Sequence, residues 1–517
     1  MMAMSPRPSF WIHSALASAI LMIATVACAP ESPQVDRSPN IIFLMADDMG
    51  YGDLGSFNEG SKIPTPHMDA LAAQGMRFTD AHSGSAVCTP TRYGVLTGRY
   101  AWRSRLKRGV LSGYSRSLIE PGRMTVASVL GESGYHTAVI GKWHLGLDWT
   151  TVSEPADWSD DDTSKAFQGA SDFAKPDGLE IDFTKPVTHG PATVGFDYSY
   201  IIPASLDMAP YVYLENNACE KPATVHEPGR FDGPVFWRPG EAAEGFDFFD
   251  VLPNLTRHAV DYIEQRAETP ETPFFLYFPL PAPHWPWVPT EEFIGRSEAG
   301  KYGDFVTQVD AQVGLLMDAL ERTGQVEDTL FILTSDNGAE WDPSHIEEFD
   351  HYANHPSQRG KKRDAWEGGH RMPFIARWPA QVAPGSSSDQ TICLTDLMAT
   401  AAEIASSALP VDAGEDSVSF LSALLGEDTS PLREATVHHS VDGTFAIRQG
   451  RWKFIDGPGP GSNQWDGPKE GDPPAQLFDL EADRHEDRNL VTEQPDRAQE
   501  LKELLERYKQ QGYSRSL

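Results

Sequence analysis

The sequence runs to 517 residues, too long for one small core, so a large domain joined to a smaller one is expected. Hydrophobic residues at 40% and aromatic residues at 10% belong to a globular protein and exclude wholesale disorder. A formal net charge of −33 argues against nucleic acid as a partner, and it requires any site for an anionic substrate to be positive locally.

In chain order, an export leader comes first. Arg7 marks a short basic region, and residues 15–27 (ALASAILMIATVA) form an uncharged apolar run. That run is shorter than the roughly 20 residues of a spanning helix but suits the core of a signal peptide. Residues 1–28 therefore read as a signal segment, and residues 29–39, polar and proline-rich, as a flexible tether. Small residues before Cys28 resemble a bacterial lipoprotein signal, with Cys28 lipidated and anchoring the chain to the membrane, although Thr25 stands where leucine is usual. The other reading is a soluble periplasmic protein cut nearby. Both readings export the chain.

Residues 40–45 (NIIFLM) are a continuous apolar run ending in Asp47-Asp48, which suits a buried parallel strand. The design recurs at 273–278, leading into Pro283-His284, and at 329–334, leading into Asp336-Asn337-Gly338. Helical periods at 66–74, 125–133 and 302–323 separate these strands, which predicts an α/β layer sandwich with its ligands beyond the carboxyl ends of the strands. Residues 149–186 are polar and read as a surface insertion, with Asp160-Asp161-Asp162 a solvated run rather than a metal site. After about residue 425 the texture changes. Strands are expected at 436–440, 444–455 and 476–480, with turns at Asp442-Gly443 and Gly450. Residues 495–511 then form an amphipathic helix with Leu501, Leu504, Leu505 and Tyr508 on one side. The expected division is a main domain over 40–425 and a C-terminal α+β subdomain over 426–517. Cys219 and Cys393 either pair in an oxidising compartment or are buried thiols.

Adjacent carboxylates at a strand end are unfavourable without a compensating cation or proton. Asp47-Asp48 and Asp336-Asn337 offer hard oxygen ligands suited to Ca²⁺ or Mg²⁺. Taken singly, each pair is more often a helix or turn cap than a ligand; two of them ending similar strands shift the balance to a metal. In Gly141-Lys142-Trp143-His144-Leu145-Gly146, extended backbone would point Lys142 and His144 the same way. His284 is held between prolines that restrict its backbone.

Cys88-Thr89-Pro90-Thr91-Arg92, followed by Thr97-Gly98, resembles the signature of type I sulfatases. The segments MADDMGYGDLG, GKWHLG, TSDNG and WEGGHR resemble further sulfatase motifs in family order, from about Asn40 to the C-terminus. The resemblance implies an alkaline phosphatase-like fold: a large mixed, mainly parallel sheet sandwiched by helices, with a smaller C-terminal antiparallel sheet plus helix. It implies that a formylglycine-generating enzyme oxidises Cys88 to Cα-formylglycine, the catalytic aldehyde. It places a calcium ion on Asp47, Asp48, Asp336, Asn337 and the modified Cys88. Arg92, Lys142, His144, His284 and Lys362 become the remaining catalytic residues, Lys362 being picked by counting back from Glu367.

The substrate so implied is a small sulfate ester or, as for many exported bacterial members, a sulfated carbohydrate. Trp143, Trp285, Trp287 and the loop 205–210 either line a sugar site or belong to the core. Two rivals stand beside this reading. One is a phosphodiesterase or phosphonate monoester hydrolase of the same superfamily. The other is a non-catalytic lipoprotein that binds sulfated glycans, although such a copy should have lost Cys88, a metal carboxylate or His144.

Overall fold

Strand β1 (Asn40–Asp47) has seven of its eight residues buried, because it pairs in parallel on both sides, with β5 (Phe274–Pro283) and with β6 (Thr329–Ser335). Its side chains alternate between two cores. Ile42 and Leu44 pack with Leu255 and Val309 from helices α4 (Val251–Arg266) and α5 (Gly300–Thr323). Ile41, Phe43 and Met45 pack with Leu96 and Leu130 from α2 (Cys88–Thr97) and α3 (Val126–Glu132). A sheet buried on both faces between helical layers explains why these strands read as unbroken apolar runs.

The computed structural model describes residues 38–154, 173–427, 430–462 and 470–516. The leader, the tether, Cys28 and the Asp160–Asp162 run lie outside the described residues. β1 belongs to an eleven-stranded sheet that also holds β2 (Met76–His82), β3 (His136–Lys142), β4 (Tyr198–Ile202) and β7 (Arg371–Arg377). Its central order is β2-β7-β6-β1-β5-β3-β4. Only β7, within that run, is antiparallel to both neighbours, so the sheet is mixed but mainly parallel.

The C-terminal texture change is a four-stranded antiparallel sheet of β8 (Thr436–His439), β9 (Phe445–Gln449), β10 (Trp452–Ile455) and β11 (Gln476–Asp479). Helix α6 (Pro495–Gln511) lies across it, opened by Pro495 and closed by Gly512 at φ 86°. Leu501, Leu504, Leu505 and Tyr508 bury against Val437, Ile447, Phe454 and Leu477. That cluster also takes in Tyr100, Trp102 and Cys393 from the larger sheet's surroundings, so the small sheet shares its core with the large one. Cys88, Cys219 and Cys393 are free thiols, so Cys219 and Cys393 do not pair. No helix of the described residues is long and apolar enough to cross a membrane.

Candidate active site

Four parallel strands deliver polar side chains at one end of the sheet. β1 ends at Asp47 and runs into Asp48, whose backbone is left-handed at φ 64°. β6 runs into Asp336 and Asn337, β5 into His284, and β3 ends at Lys142. Backbone closes over the group at Gly338, where an added Cβ would sit 1.8 Å from the Gly368 carbonyl oxygen, so only glycine fits. Cys88 opens α2, and Arg92 follows one turn later on the same side. The proline between them, Pro90, falls in the first turn, where no intrahelical N–H is needed.

Three buried carboxylates meet three buried cations here. Lys142 Nζ donates to Asp47 Oδ2 at 2.5 Å, Lys362 Nζ to Asp48 Oδ2 at 2.7 Å, and Arg92 to Asp336 Oδ2 at 2.8 Å. Arg92 lies 3.6 Å from Asp47 as well. Burial alone would raise the Asp47 pKa; Lys142, then His284 and Arg92, outweigh it and hold it well below the usual carboxylate range. Asp336 goes the other way. Burial and the neighbouring Asp47 push it up to about 7 against the pull of Arg92. The Cys88 thiol is pushed up by burial despite Lys142 and Lys362, and its Sγ lies 3.5 Å from Asp47 Oδ1. A thiol held protonated is a poor nucleophile as it stands.

Burial and nearby cations lower the pKa of both histidines. His144 donates from Nε2 to the Leu111 carbonyl at 2.8 Å, leaving Nδ1 as a buried acceptor without a partner. Burial, with Lys142 and Arg92 behind it, lowers its pKa well below the usual value. His284 is lowered by burial and Lys362; its Nδ1 lies 2.5 Å from the Trp285 carbonyl, and its Nε2 lies 3.8 Å from Asp48.

A hard divalent cation suits this donor set. Asn337 Nδ2 donates to Asp48 Oδ1 at 2.6 Å, which turns Asn337 Oδ1 the other way, buried and without a hydrogen-bond partner among the described residues. Ligand atoms of Asp47, Asp48, Cys88 and His284 lie within 4.8 Å of one another. Carboxylate and amide oxygens left to converge in this way are ligands for calcium or magnesium rather than for soft metals.

All ten residues singled out in the sequence, Asp47, Asp48, Cys88, Arg92, Lys142, His144, His284, Asp336, Asn337 and Lys362, meet at this floor. Lys142 and His144 do not share an extended segment, because β3 ends at Lys142 and His144 has left-handed backbone at φ 54°. The two reach the floor because the chain turns between them. Lys361 also lines the cleft, but pairs with Glu340 and Asp342 on its wall instead of with a carboxylate of the floor. Ser205 was singled out only as part of the 205–210 loop, not as a partner of Lys142 and His284. Its hydroxyl lies 3.2 Å from Lys142 Nζ and 3.1 Å from His284 Nδ1, and nothing in its local sequence marks it.

Above the floor opens a cleft of about 670 Å³. Asp207, Met208, Phe236, Arg238 and Trp285 line it. Trp143 and Trp287 belong to the core, which settles their alternative, whereas Trp285 is 37% exposed. Cations gathered around one enclosed side chain suit an anionic ester and its hydrolysis, which sets the class of protein.

Residues 39–407 match the family described as Sulfatase. The chain is 34% identical over 518 residues to the N-acetylgalactosamine-6-O-sulfatase of Bacteroides thetaiotaomicron, covering 93% of this chain and 94% of that one. It is 33% identical over 438 residues to Homo sapiens arylsulfatase A, covering 81% and 75%. A solved structure from work on the metabolism of multiple glycosaminoglycans by B. thetaiotaomicron superposes with a TM-score of 0.77 at 33% identity, over 92% of this chain and 100% of that one. The chain belongs to the sulfatase family. It is a sulfuric ester hydrolase with the alkaline phosphatase-like fold.

Proposed function

We propose that this sulfatase hydrolyses sulfate monoesters on a sulfated carbohydrate, through a formylglycine made from Cys88 and a calcium ion. The observation that carries this is the enclosure of Cys88 by Lys142, Lys362 and Arg92 at the foot of a sugar-sized cleft. The relative named as an N-acetylgalactosamine-6-O-sulfatase supports an amino-sugar 6-sulfate as the first substrate to try.

Water and R–O–SO₃⁻ become R–OH, sulfate and a proton. Formylglycine supplies a hydrated aldehyde, one hydroxyl to attack sulfur and a second to release sulfate afterwards. Asp47, Asp48, Asp336 and Asn337 would hold the calcium, which supplies charge stabilisation for sulfuryl oxygens. Lys142, Lys362 and Arg92 neutralise the same oxygens without reorganising, since each is already fixed by an ion pair. Asp336, at the end of its strand beside Arg92 and Asp47, takes the proton of the attacking hydroxyl. His284 protonates the leaving alkoxide, aided by Lys362. His144, with Nδ1 free to accept, removes the proton that lets sulfate depart. The leader further supports export to the periplasm, with Cys28 as a candidate lipid anchor, and a formylglycine-generating enzyme is the partner in maturation.

The test pairs 4-nitrophenyl sulfate with bis(4-nitrophenyl) phosphate, in calcium, after weighing the peptide that contains position 88. The expected result is an aldehyde mass, preference for the sulfate, and a loss of at least about 10³-fold in Cys88→Ala with its fold retained. Preference for the phosphate diester would move the protein to the rival hydrolase class. Undiminished turnover by Cys88→Ala would sink the mechanism.

A further inference from the structure

Asp207 and Arg238 have no part in the reaction just described, yet both line the cleft. Asp207 is 5% exposed and Arg238 8% exposed. Arg238 Nη1 donates to Asp207 Oδ2, while Asp207 Oδ1 has no hydrogen-bond partner among the described residues. A buried carboxylate beside a site for sulfate repels the substrate's charge and loses its own hydration. Some return for it is therefore required.

A structural strut is the plain alternative, and the backbone already provides one. The Arg238 N–H donates to the Asp207 carbonyl at 3.1 Å. The Tyr211 hydroxyl lies 3.2 Å from that carbonyl and 2.6 Å from the Arg238 carbonyl. The loop around Asp207 and the strand Val235–Trp237 are thus tied without the two side chains.

Position gives the pair a different use. Asp207 lies two residues after Ser205, whose hydroxyl is 3.1 Å from His284 Nδ1, and both Asp207 and His284 line the cleft, so Asp207 is on the side of the proposed donor to the leaving oxygen. The side of the cleft next to that donor is where the alcohol of the ester lies. Arg238 is steadied over the rings of Phe173 and Phe236, each 4.9 Å away, and Trp285 follows His284 directly in the chain. A fixed acceptor next to a fixed donor, with an aromatic face nearby, matches the hydroxyls and apolar face of a pyranose.

We propose that Asp207 and Arg238 bind the ring hydroxyl nearest the ester of a sulfated sugar, the 4-hydroxyl of a 6-sulfate, and so select carbohydrate sulfates over simple aryl sulfates. This rests on the carbohydrate reading above.

The test compares kcat/KM on N-acetylgalactosamine 6-sulfate and on 4-nitrophenyl sulfate for the wild type, Asp207→Asn and Arg238→Lys. Loss of one charged hydrogen bond should lower the sugar value by about 10- to 100-fold more than the aryl value, chiefly through KM. Wild-type protein is also assayed on the 4-deoxy analogue of the sugar sulfate, which needs no folded variant. The analogue should lose a similar factor, and Asp207→Asn should lose little more on it. Equal losses on both substrates would mean a strut and overturn the proposal, as would full activity on the deoxy sugar. A wild type that cleaves the aryl ester but no sulfated sugar would instead overturn the carbohydrate reading, and this inference with it.

Discussion

Lys142 is wholly buried, and Asp47 is its counter-charge. Lys142→Ala leaves a buried carboxylate uncompensated, which should cost about 3–5 kcal/mol in chemical denaturation, together with most of the sulfatase activity. Lys361→Ala should spare far more activity, because Lys361 pairs with Glu340 and Asp342 on the cleft wall and not with Asp47, Asp48 or Asp336. A metal bound only by the folded chain stabilises it by mass action. EGTA should therefore lower the melting temperature and calcium restore it, and Asn337→Ala, which removes the unpartnered oxygen, should blunt both responses. Residues of this kind were legible in the sequence where one short motif carried several of them, as at 47–48, 88–92 and 336–337. Ser205, Asp207 and Arg238 were not legible as contacts. Asp207 and Arg238 meet across 31 residues, and their pairing exists only once two loops have been folded together.

Elements were legible for a different reason. Central strands sit between two helical layers, so each shows as an apolar run ending in charge, and 40–45, 273–278 and 329–334 all fall on observed strands. Helix α6 kept its expected bounds because proline and glycine mark both ends. The helix that begins at Cys88 closes at the left-handed Gly98, but its start was not marked. Cys-Thr-Pro-Thr is a poor helical opening, and burial of all ten residues, rather than propensity, holds it in place. The extended reading of 141–146 failed where His144 turns left-handed, a conformation that no residue type there announces. Close backbone approach makes its own prediction. Gly338→Ala must push against the Gly368 carbonyl 1.8 Å away, and a loss of about 3 kcal/mol or more is expected in its unfolding curve, with activity falling as Asn337 shifts.

Across the whole molecule, a second buried network joins the two sheets. Arg448 of β9 meets Asp80 of β2 at 2.6 Å, and Lys453 of β10 meets Glu367 at 3.0 Å and Glu486 at 2.8 Å. His82, His370 and His438 lie among these groups, with the rings of His370 and His438 stacked 3.9 Å apart. The ammonium of Lys453, 3.0 Å from His370 Nε2, argues against a metal ion there. Burial lowers the pKa of all three, and that of neighbouring His439 to about 4. A buried histidine that stays neutral gives full stability above the unfolded pKa of about 6.5, and loses about 1.4 kcal/mol per pH unit below it. Thermal unfolding should therefore fall steeply from pH 6.5 towards 4, and His439→Gln should make that fall shallower. The join between the sheets was invisible in the sequence, since its members are spread from residue 80 to residue 486. The position of Cys88 has a consequence for how active protein comes to exist. Only 2% exposed, on the first turn of a helix buried along its length, that thiol is out of reach of any second enzyme once the chain has closed. The proposed oxidation thus belongs to the nascent chain, and each molecule leaves biosynthesis already committed to the aldehyde or to the thiol. Later exposure to the maturing enzyme should rescue no thiol form unless the protein is first unfolded.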